Sequence, residues 1–179
     1  MVAQHYRRMG PAPGSMEDVA PYAVGGRIAP RLNVAQMVRQ AARLAEVRPE
    51  LVAAYQEVLR RWSGDPGLRL LGLPIVTEGY RSPERQDELF AQGRSKPGPV
   101  VTYKRGDESK HNRLPAPALD VAFLLPDGEV SWSGLLLSKF ARLMKAADAR
   151  VRWGGDWATF KDRPHFEVLT AGKGGDGRG

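Results

Sequence analysis

The chain contains no cysteine and only three histidines among its 179 residues. The lack of cysteine excludes disulfides and thiolate zinc sites, so any zinc (Zn2+) site must be built from histidine and carboxylate side chains. No apolar run is long enough to span a bilayer, which predicts no membrane insertion. No internal repeat is present, and no long Lys/Arg block is interleaved with aromatic residues, so no nucleic-acid-binding arm is expected.

The N-terminal region carries Arg7 and Arg8 but no apolar stretch of the length that a signal peptide needs. We therefore expect synthesis as a soluble cytoplasmic protein. A length of 179 residues with 42% hydrophobic residues suits one domain with its own core and is too short for two. One active centre is accordingly expected, in a protein that is predicted to be a monomer.

Basic residues outnumber acidic residues by 27 to 20, which gives a formal net charge of +7 and a sequence pI near 10. This charge favours polyanionic partners, a group that includes nucleic acid, anionic membranes and bacterial cell wall. A basic surface that serves solubility alone explains the same charge. Charge by itself therefore leaves the partner open.

Composition and periodicity divide the chain into three parts. Residues 1–32 are rich in Pro, Gly and Ala and are predicted to be an irregular leader. Residues 33–170 are predicted to form the folded domain. The Gly-rich residues 171–179 are predicted to be a flexible tail.

Two helices are predicted at the start of the domain. Asn33 is a plausible N-cap for the first, and Pro49 lies in the first turn of the second. Apolar residues recur at helical spacing in both, and we expect these stripes to face the core. In the first helix they are Val34, Met37, Val38, Ala41 and Ala45.

The rest of the domain alternates between strand and helix patterns. Ser82 and Ser133 are predicted to cap two more helices, and residues 93–117 form the longest predicted loop, a length that is usually functional. These patterns predict an α+β domain with a small antiparallel sheet and helices packed on one side. The predicted strands are 73–77, 118–125 and the region of 165–168.

Two of the three histidines lie beside carboxylates in structured segments. His111 precedes Asp120 by nine residues, and His165 follows Asp162 by three. Two imidazoles and one carboxylate make a three-ligand zinc set that leaves a fourth position for water, which suits catalysis. A histidine and an aspartate nine positions apart are weak evidence alone, because most such pairs are surface coincidences.

Asp162 and Arg81 offer two further chemical groups. The spacing of Asp162 from His165 can bring its carboxylate to a zinc-bound water as a general base, but it also fits a turn cap. Arg81 lies at a predicted strand-to-helix junction, where a fixed guanidinium could stabilise a tetrahedral oxyanion. A salt bridge from Arg81 to Glu78 or Asp87 is the structural alternative.

Together, the stretches that contain these residues resemble, in order and residue type, a zinc metallopeptidase family. It comprises D-alanyl-D-alanine carboxypeptidases and dipeptidases and the phage L-alanyl-D-glutamate endopeptidases, and it shares a fold with the hedgehog signalling domain. The resemblance covers about residues 70–170 and is closest to the phage endopeptidase branch. It implies that Asp162 is the general base and Arg81 the transition-state cation. It also implies that the zinc ligands are His111, Asp120 and His165.

The resemblance also implies a substrate-side position for Gln86, and it matches Trp153 to the aromatic stretch before the last ligand, so we expect Trp153 to contact substrate. Ser109 is expected either to support a ligand from behind or to contact substrate. One feature departs from the family, which usually spaces its first histidine and the aspartate seven positions apart, with a glycine between them. His111 and Asp120 are nine apart, with prolines between them. Because a shift by two preserves the face of a strand, Asp120 remains a better ligand candidate than Asp107.

The resemblance implies direct hydrolysis, without a covalent enzyme intermediate, of the L-Ala–D-Glu bond in peptidoglycan stem peptides. The expected protein is an endolysin of bacteriophage type, antimicrobial in effect, that is made in the host cytoplasm and reaches the wall through another protein's membrane lesion. Two alternatives stay open: a D-alanyl-D-alanine carboxypeptidase with the same zinc set, and a non-catalytic zinc-containing module that binds the wall. The presence of both Asp162 and Arg81 argues against the module, because binding alone requires neither a base nor an oxyanion cation.

Overall fold

The computed structural model describes residues 23–24 and 27–169. The predicted tail 171–179 and most of the predicted leader lie outside the described residues. Two short strands in the leader, β1 (Ala23–Val24) and β2 (Arg27–Ile28), pair antiparallel. This pairing departs from the irregular structure predicted for 1–32. The strands are separated in sequence by Gly-Gly, a dipeptide that favours two-residue hairpin turns.

The main sheet has five strands, all paired antiparallel, in the order β3-β4-β7-β6 with β5 paired to β4. Three of the strands were predicted, whereas β5 and β6 were not, because two or three residues carry too little alternation to be recognised. The strands are β3 (Leu73–Glu78), β4 (Ala118–Leu124), β5 (Val130–Ser131), β6 (Val151–Trp153) and β7 (His165–Val168).

Four of the five helices begin where the sequence predicts them. Asn33 caps the first with a capping box, Pro49 starts the second, and the hydroxyls of Ser82 and Ser133 cap the fourth and fifth. The helices are α1 (Val34–Ala45), α2 (Pro49–Gly64), α3 (Pro66–Arg69), α4 (Pro83–Ala91) and α5 (Gly134–Ala147). No helix of the described chain has the length and apolar character to cross a membrane.

Helices α2 and α5 pack on one face of the sheet, which confirms the predicted α+β arrangement. Large aromatic side chains from both helices and from the sheet meet there in tilted and edge-to-face contacts, the geometries that aromatic pairs prefer. The aromatic residues of this core are Tyr55, Trp62, Phe123, Phe140 and Phe166.

The alternation of side chains along β4 and β7 divides the sheet into two chemically different faces. On β4, Leu119 and Val121 enter the helix-covered core, and on β7 Phe166 does the same. Their neighbours Asp120 and His165 therefore point to the opposite face. The hydrophobic core thus fixes the polar face on which the predicted ligands stand.

Helix α1 contacts the sheet through polar side chains, so the prediction that its apolar stripe faces the core is wrong. Val34 and Val38 are 62% and 63% exposed, and no residue of α1 is buried. The opposite side of the helix bonds the outer edge of β3: Gln40 accepts from the Val76 N–H at 2.6 Å and donates to the Val76 carbonyl at 2.8 Å. An edge strand has unpaired backbone groups, and Gln40 satisfies two of them.

We expect Gln40→Ala to lower the free energy of unfolding by about 1–3 kcal/mol, because the buried Val76 N–H then loses its acceptor. Arg39→Ala is the matched control, since Arg39 is exposed on the same helix and gains the same helix-favouring alanine. Urea denaturation with a chelator present measures both variants. Equal stability of the two variants would contradict the role of Gln40.

Candidate active site

The three predicted ligands come together on the polar face of the sheet. Asp120 of β4 and His165 of β7 are direct cross-strand partners. His111 lies in a single 3-10 turn, Lys110–Asn112, which Ser109 caps by accepting from the His111 backbone N–H. Strand β4 starts at Ala118, so the nine-residue spacing from His111 is absorbed in the loop and leaves Asp120 within the strand.

The ligand atoms are spaced as a zinc ion requires. His111 Nε2 lies 3.1 Å from His165 Nδ1, and each of these nitrogens lies 3.3 Å from Asp120 Oδ1. Ligands about 2.0–2.1 Å from a tetrahedral zinc are separated from one another by roughly 3.3 Å. The donor set and its spacing therefore fit zinc, with three protein ligands rather than the four of a closed structural site.

Hydrogen bonds on the far side of each ring fix which nitrogen faces the site. His111 Nδ1 lies 2.6 Å from the Gly79 carbonyl oxygen, and His165 Nε2 lies 3.2 Å from Glu167 Oε2. When these nitrogens carry the proton, His111 Nε2 and His165 Nδ1 present their lone pairs to the site. Position 79 must be glycine, because a Cβ there would lie 2.7 Å from the Arg43 carbonyl oxygen.

The charges of the site shift the pKa values of Asp120 and His165 in opposite directions. Burial opposes ionisation of Asp120, but the adjacent imidazoles of His111 and His165 hold its pKa well below the ordinary value. Burial disfavours the charged form of His165, yet hydrogen bonds to Asp120 and Glu167 raise its pKa to about 10. In the metal-free protein the site therefore keeps a proton where a metal ion would bind.

Asp162 lies at the edge of the same site in a backbone turn. Its N–H donates to the Gly154 carbonyl at 3.1 Å, and its own carbonyl accepts from the His165 N–H at 3.2 Å. A Cβ at Gly154 would collide with the Asp162 carbonyl oxygen, so only glycine allows this approach. Burial and the negative charge of Asp120 raise the pKa of Asp162 to about 6, despite the opposing charges of His165, His111 and Arg81.

The Arg81 guanidinium is held beside the ligands and is 10% exposed. Its Nη1 donates to Gln86 Oε1 at 2.8 Å, and its Nη2 lies 3.5 Å from Asp120 Oδ2 and 3.4 Å from Glu78 Oε2. The backbone N–H of Arg81 donates to the His111 carbonyl at 2.9 Å. The alternative salt bridge to Glu78 is thus present, but the same guanidinium also faces the ligand carboxylate.

Gln86 lies behind Arg81 and has no exposed surface, so the structure contradicts its predicted substrate-side position. Its amide nitrogen donates to Thr102 Oγ1 and to the Lys104 carbonyl, while its oxygen accepts from Arg81. All its hydrogen-bonding groups are engaged inside the protein. Gln86 lies on α4, so it holds Arg81 in place and also anchors to this helix the loop in which Thr102 lies.

Trp153 is engaged within the protein in a way that the sequence did not predict. Its indole N–H donates to the Arg163 carbonyl at 2.6 Å, and its ring packs against the core and covers Gly155. The tryptophan ring beside the ligands is that of Trp157, whose centroid lies 5.2 Å from that of His165. The predicted substrate contacts of Trp153 and Ser109 stay predictions.

The sequence interpretation missed Glu167, which contacts a ligand directly. The signal was available, because Glu167 follows His165 by two residues and strand residues two apart share a face. Its partner Lys110 had no such signal, since the 3-10 turn that brings it near is not predictable from composition. Asp107, the weaker ligand candidate, is exposed and is not in the cluster.

The sequence profile of the D-alanyl-D-alanine carboxypeptidase family of M15 peptidases matches residues 102–168, the segment that carries all three ligands and Asp162. Residues 102–168 are thus similar to M15 peptidases. Arg81 lies before the matched segment, so its place beside the ligands depends on the geometry described above.

Two proteins that are similar to this chain are named as endopeptidases. The peptidoglycan L-alanyl-D-glutamate endopeptidase CwlK of Bacillus subtilis (strain 168) is 43% identical over 102 residues, which cover 53% of this chain and 60% of CwlK. The chain thus spans less than two thirds of that relative. The crystal structure of the L-Ala D-Glu endopeptidase ChiX of Serratia marcescens superposes with a TM-score of 0.54 at 29% identity, over 73% of this chain and 86% of ChiX.

Zinc binding to this site is expected to release about one proton at pH 8, because the pKa of His165 near 10 keeps that imidazole protonated until the metal displaces the proton. Calorimetric titration in buffers of different ionisation enthalpy measures the number of protons. Raising the pH from 6 to 9 should strengthen zinc binding. Binding without proton release would contradict this charge state.

Proposed function

We propose that this protein is a zinc-dependent endopeptidase that cleaves the L-Ala–D-Glu bond of peptidoglycan stem peptides. The observation that carries the proposal is one cluster in which three zinc-type ligands stand beside Asp162, a carboxylate with a raised pKa, and Arg81, a buried guanidinium. Ligation alone requires neither Asp162 nor Arg81. Their presence supports hydrolysis rather than a non-catalytic module that binds the wall.

Zinc held by His111, Asp120 and His165 would supply Lewis acidity to the scissile carbonyl and to an attacking water. Asp162 is suited to the general base, because a pKa of about 6 leaves it ionised at neutral pH yet basic enough to take a proton. The protonated Asp162 can then deliver that proton to the leaving amine. Its backbone bonds to Gly154 and His165 hold it in place for both transfers.

Arg81 is suited to stabilise the negative oxygen of the tetrahedral state. Gln86 accepts from one end of its guanidinium, and the backbone N–H of Arg81 is bonded to the segment that carries His111. Arg81 therefore needs little reorganisation during the reaction. The buried Nε–H of Arg81 has no hydrogen-bond partner in the described part of the chain.

The choice of scissile bond is supported by the two relatives, both of which are named as L-Ala–D-Glu endopeptidases. The net charge of +7 favours the anionic wall. A D-alanyl-D-alanine carboxypeptidase is the second candidate, because the family profile over residues 102–168 carries that description. Both reactions would use the same ligands, base and cation.

The proposal includes a biological setting. Cleavage of the stem peptides would weaken the wall and cause lysis, as in an endolysin made in the cytoplasm and released to the wall by another protein's membrane lesion. The proposed protein acts as a monomer and needs no nucleic-acid partner. Support for this setting comes from the resemblance of the site motifs to phage endopeptidases.

Digestion of purified peptidoglycan tests the bond that is cut. We expect mass spectrometry and end-group labelling to find new amino groups on glutamate and new carboxyl ends on L-alanine, together with falling turbidity of wall suspensions. Release of free D-alanine with the L-Ala–D-Glu bond intact would support the carboxypeptidase instead. New reducing sugar ends without peptide cleavage would contradict both.

Asp162→Asn is expected to retain zinc and fold while losing turnover by roughly 10²–10⁴-fold, because the amide cannot accept the proton. Arg81→Ala should behave in the same way, whereas His165→Ala should lose zinc and activity together. Asp156→Asn is the matched control, since Asp156 is exposed in the neighbouring turn and pairs with Lys145. Near wild-type turnover in Asp162→Asn would mean that another group is the base.

A further inference from the structure

A carboxylate outside the ligand set contacts the third ligand and a lysine at the same time. Glu167 Oε2 lies 3.2 Å from His165 Nε2, and Glu167 Oε1 accepts from Lys110 Nζ at 2.6 Å. The Glu167 residue is 7% exposed, so its carboxylate is largely shielded from water, whereas the Lys110 side chain is 41% exposed. A buried carboxylate is costly unless it is paired, and here each oxygen has one partner.

The sheet geometry makes this arrangement rigid. His165 and Glu167 are two residues apart on β7, so their side chains stand on the same face of the sheet. Glu167 pairs across the ladder with Ala118 of β4 and Arg152 of β6. The Arg152 guanidinium donates instead to the carbonyls of Ala149 and Val151, and Lys110 is the cation that Glu167 contacts.

Lys110 immediately precedes the first ligand, and Glu167 follows the third ligand by two residues. The Lys110–Glu167 ion pair therefore connects the 3-10 turn that carries His111 to the strand that carries His165. These two segments are 54 residues apart in sequence at their ligands.

We propose that Glu167 is a positioning residue for the metal site: it fixes the His165 imidazole with Nδ1 toward the metal, and Lys110 holds Glu167 in place. This inference depends on the zinc site of the proposed function. A carboxylate that accepts from the outer nitrogen of a ligand histidine sets the tautomer and orientation of the ring and raises its basicity as a ligand.

Without the Glu167 carboxylate, the His165 ring loses its anionic acceptor at Nε2, and its preference for one tautomer and one orientation weakens. The affinity for the metal is then lower, because metal binding must also order the ring. Removal of such an outer partner typically weakens metal binding by about 10–100-fold. Lys110 is 41% exposed along its side chain, so its removal should cost less than removal of the Glu167 charge.

The test is zinc affinity, measured by competition with a chromophoric chelator, with the visible spectrum of the cobalt-substituted protein as a second readout of ligand geometry. Glu167→Gln keeps the size of the side chain and removes its charge. We expect about 10-fold or weaker zinc binding and an altered cobalt spectrum. Glu57→Gln is the matched control, because Glu57 also pairs with basic side chains but lies on α2 among Arg60 and Arg61. It should leave both readouts unchanged.

Lys110→Met provides a second, more exposed position. It should weaken zinc binding by a smaller factor than Glu167→Gln, and the double variant should bind zinc as Glu167→Gln does, because Lys110 acts through Glu167. If Glu167→Gln does not fold in the presence of chelator, Lys110→Met carries the test. Weakened affinity then supports the inference and unchanged affinity overturns it.

The outcomes separate this inference from the proposed function. A wild-type protein that binds no zinc contradicts the proposed function and the inference with it. A wild-type protein that binds zinc tightly, with Glu167→Gln equally tight and spectroscopically identical, contradicts only the role of Glu167. Independent, additive losses in the double variant would overturn the assignment of Lys110 as a partner that acts through Glu167.

Discussion

The site depends on one cross-strand pair, Asp120 of β4 opposite His165 of β7. Direct neighbours in an antiparallel ladder have their side chains about 5 Å apart on the same face, which is close enough to share one ion. The register of this pair is determined by the core, because Leu119 and Phe166 on the alternate positions must enter the apolar layer. A slip by one residue would bury the ligands and expose the core.

The remaining groups are arranged around this pair by loops that the sheet anchors. The turn with His111 is tied to Arg81 through its backbone, and Arg81 is tied to α4 through Gln86. Asp162 is joined to the other side by its backbone bond to His165. Asp162 and Arg81, the proposed base and cation, thus each have at least one backbone bond to a ligand-bearing segment, which is the preorganisation that catalysis needs.

Much of this arrangement follows from local sequence signals. Serine and asparagine caps, Pro49 and the alternation in β4 predicted most of the helices and long strands, because such signals act over a few residues. The apolar stripe of α1 misled the interpretation, since the need of the β3 edge for hydrogen bonds places Gln40 inward and Val34 outward. Burial of a polar side chain against a strand edge depends on tertiary contacts, which the spacing of apolar residues in a helix does not reveal.

The metal ligands of the site were more predictable from the sequence than the residues that surround them. His111, Asp120 and His165 were identified as ligands by residue type and motif, and the structure brings them together. The burial of Gln86, the ring of Trp157 beside His165 and the contact of Glu167 with His165 were not predicted. These residues lie against a ligand or Arg81, so their places in the site become visible only once those partners have positions in space.

We propose that one zinc ion binds between these three side chains. Anomalous X-ray diffraction from zinc-soaked crystals, recorded on both sides of the zinc absorption edge, measures this directly. We predict a single strong peak at about 2.0–2.2 Å from His111 Nε2, His165 Nδ1 and an Asp120 carboxylate oxygen. No peak at this position, or a zinc ion held by other residues, would contradict it.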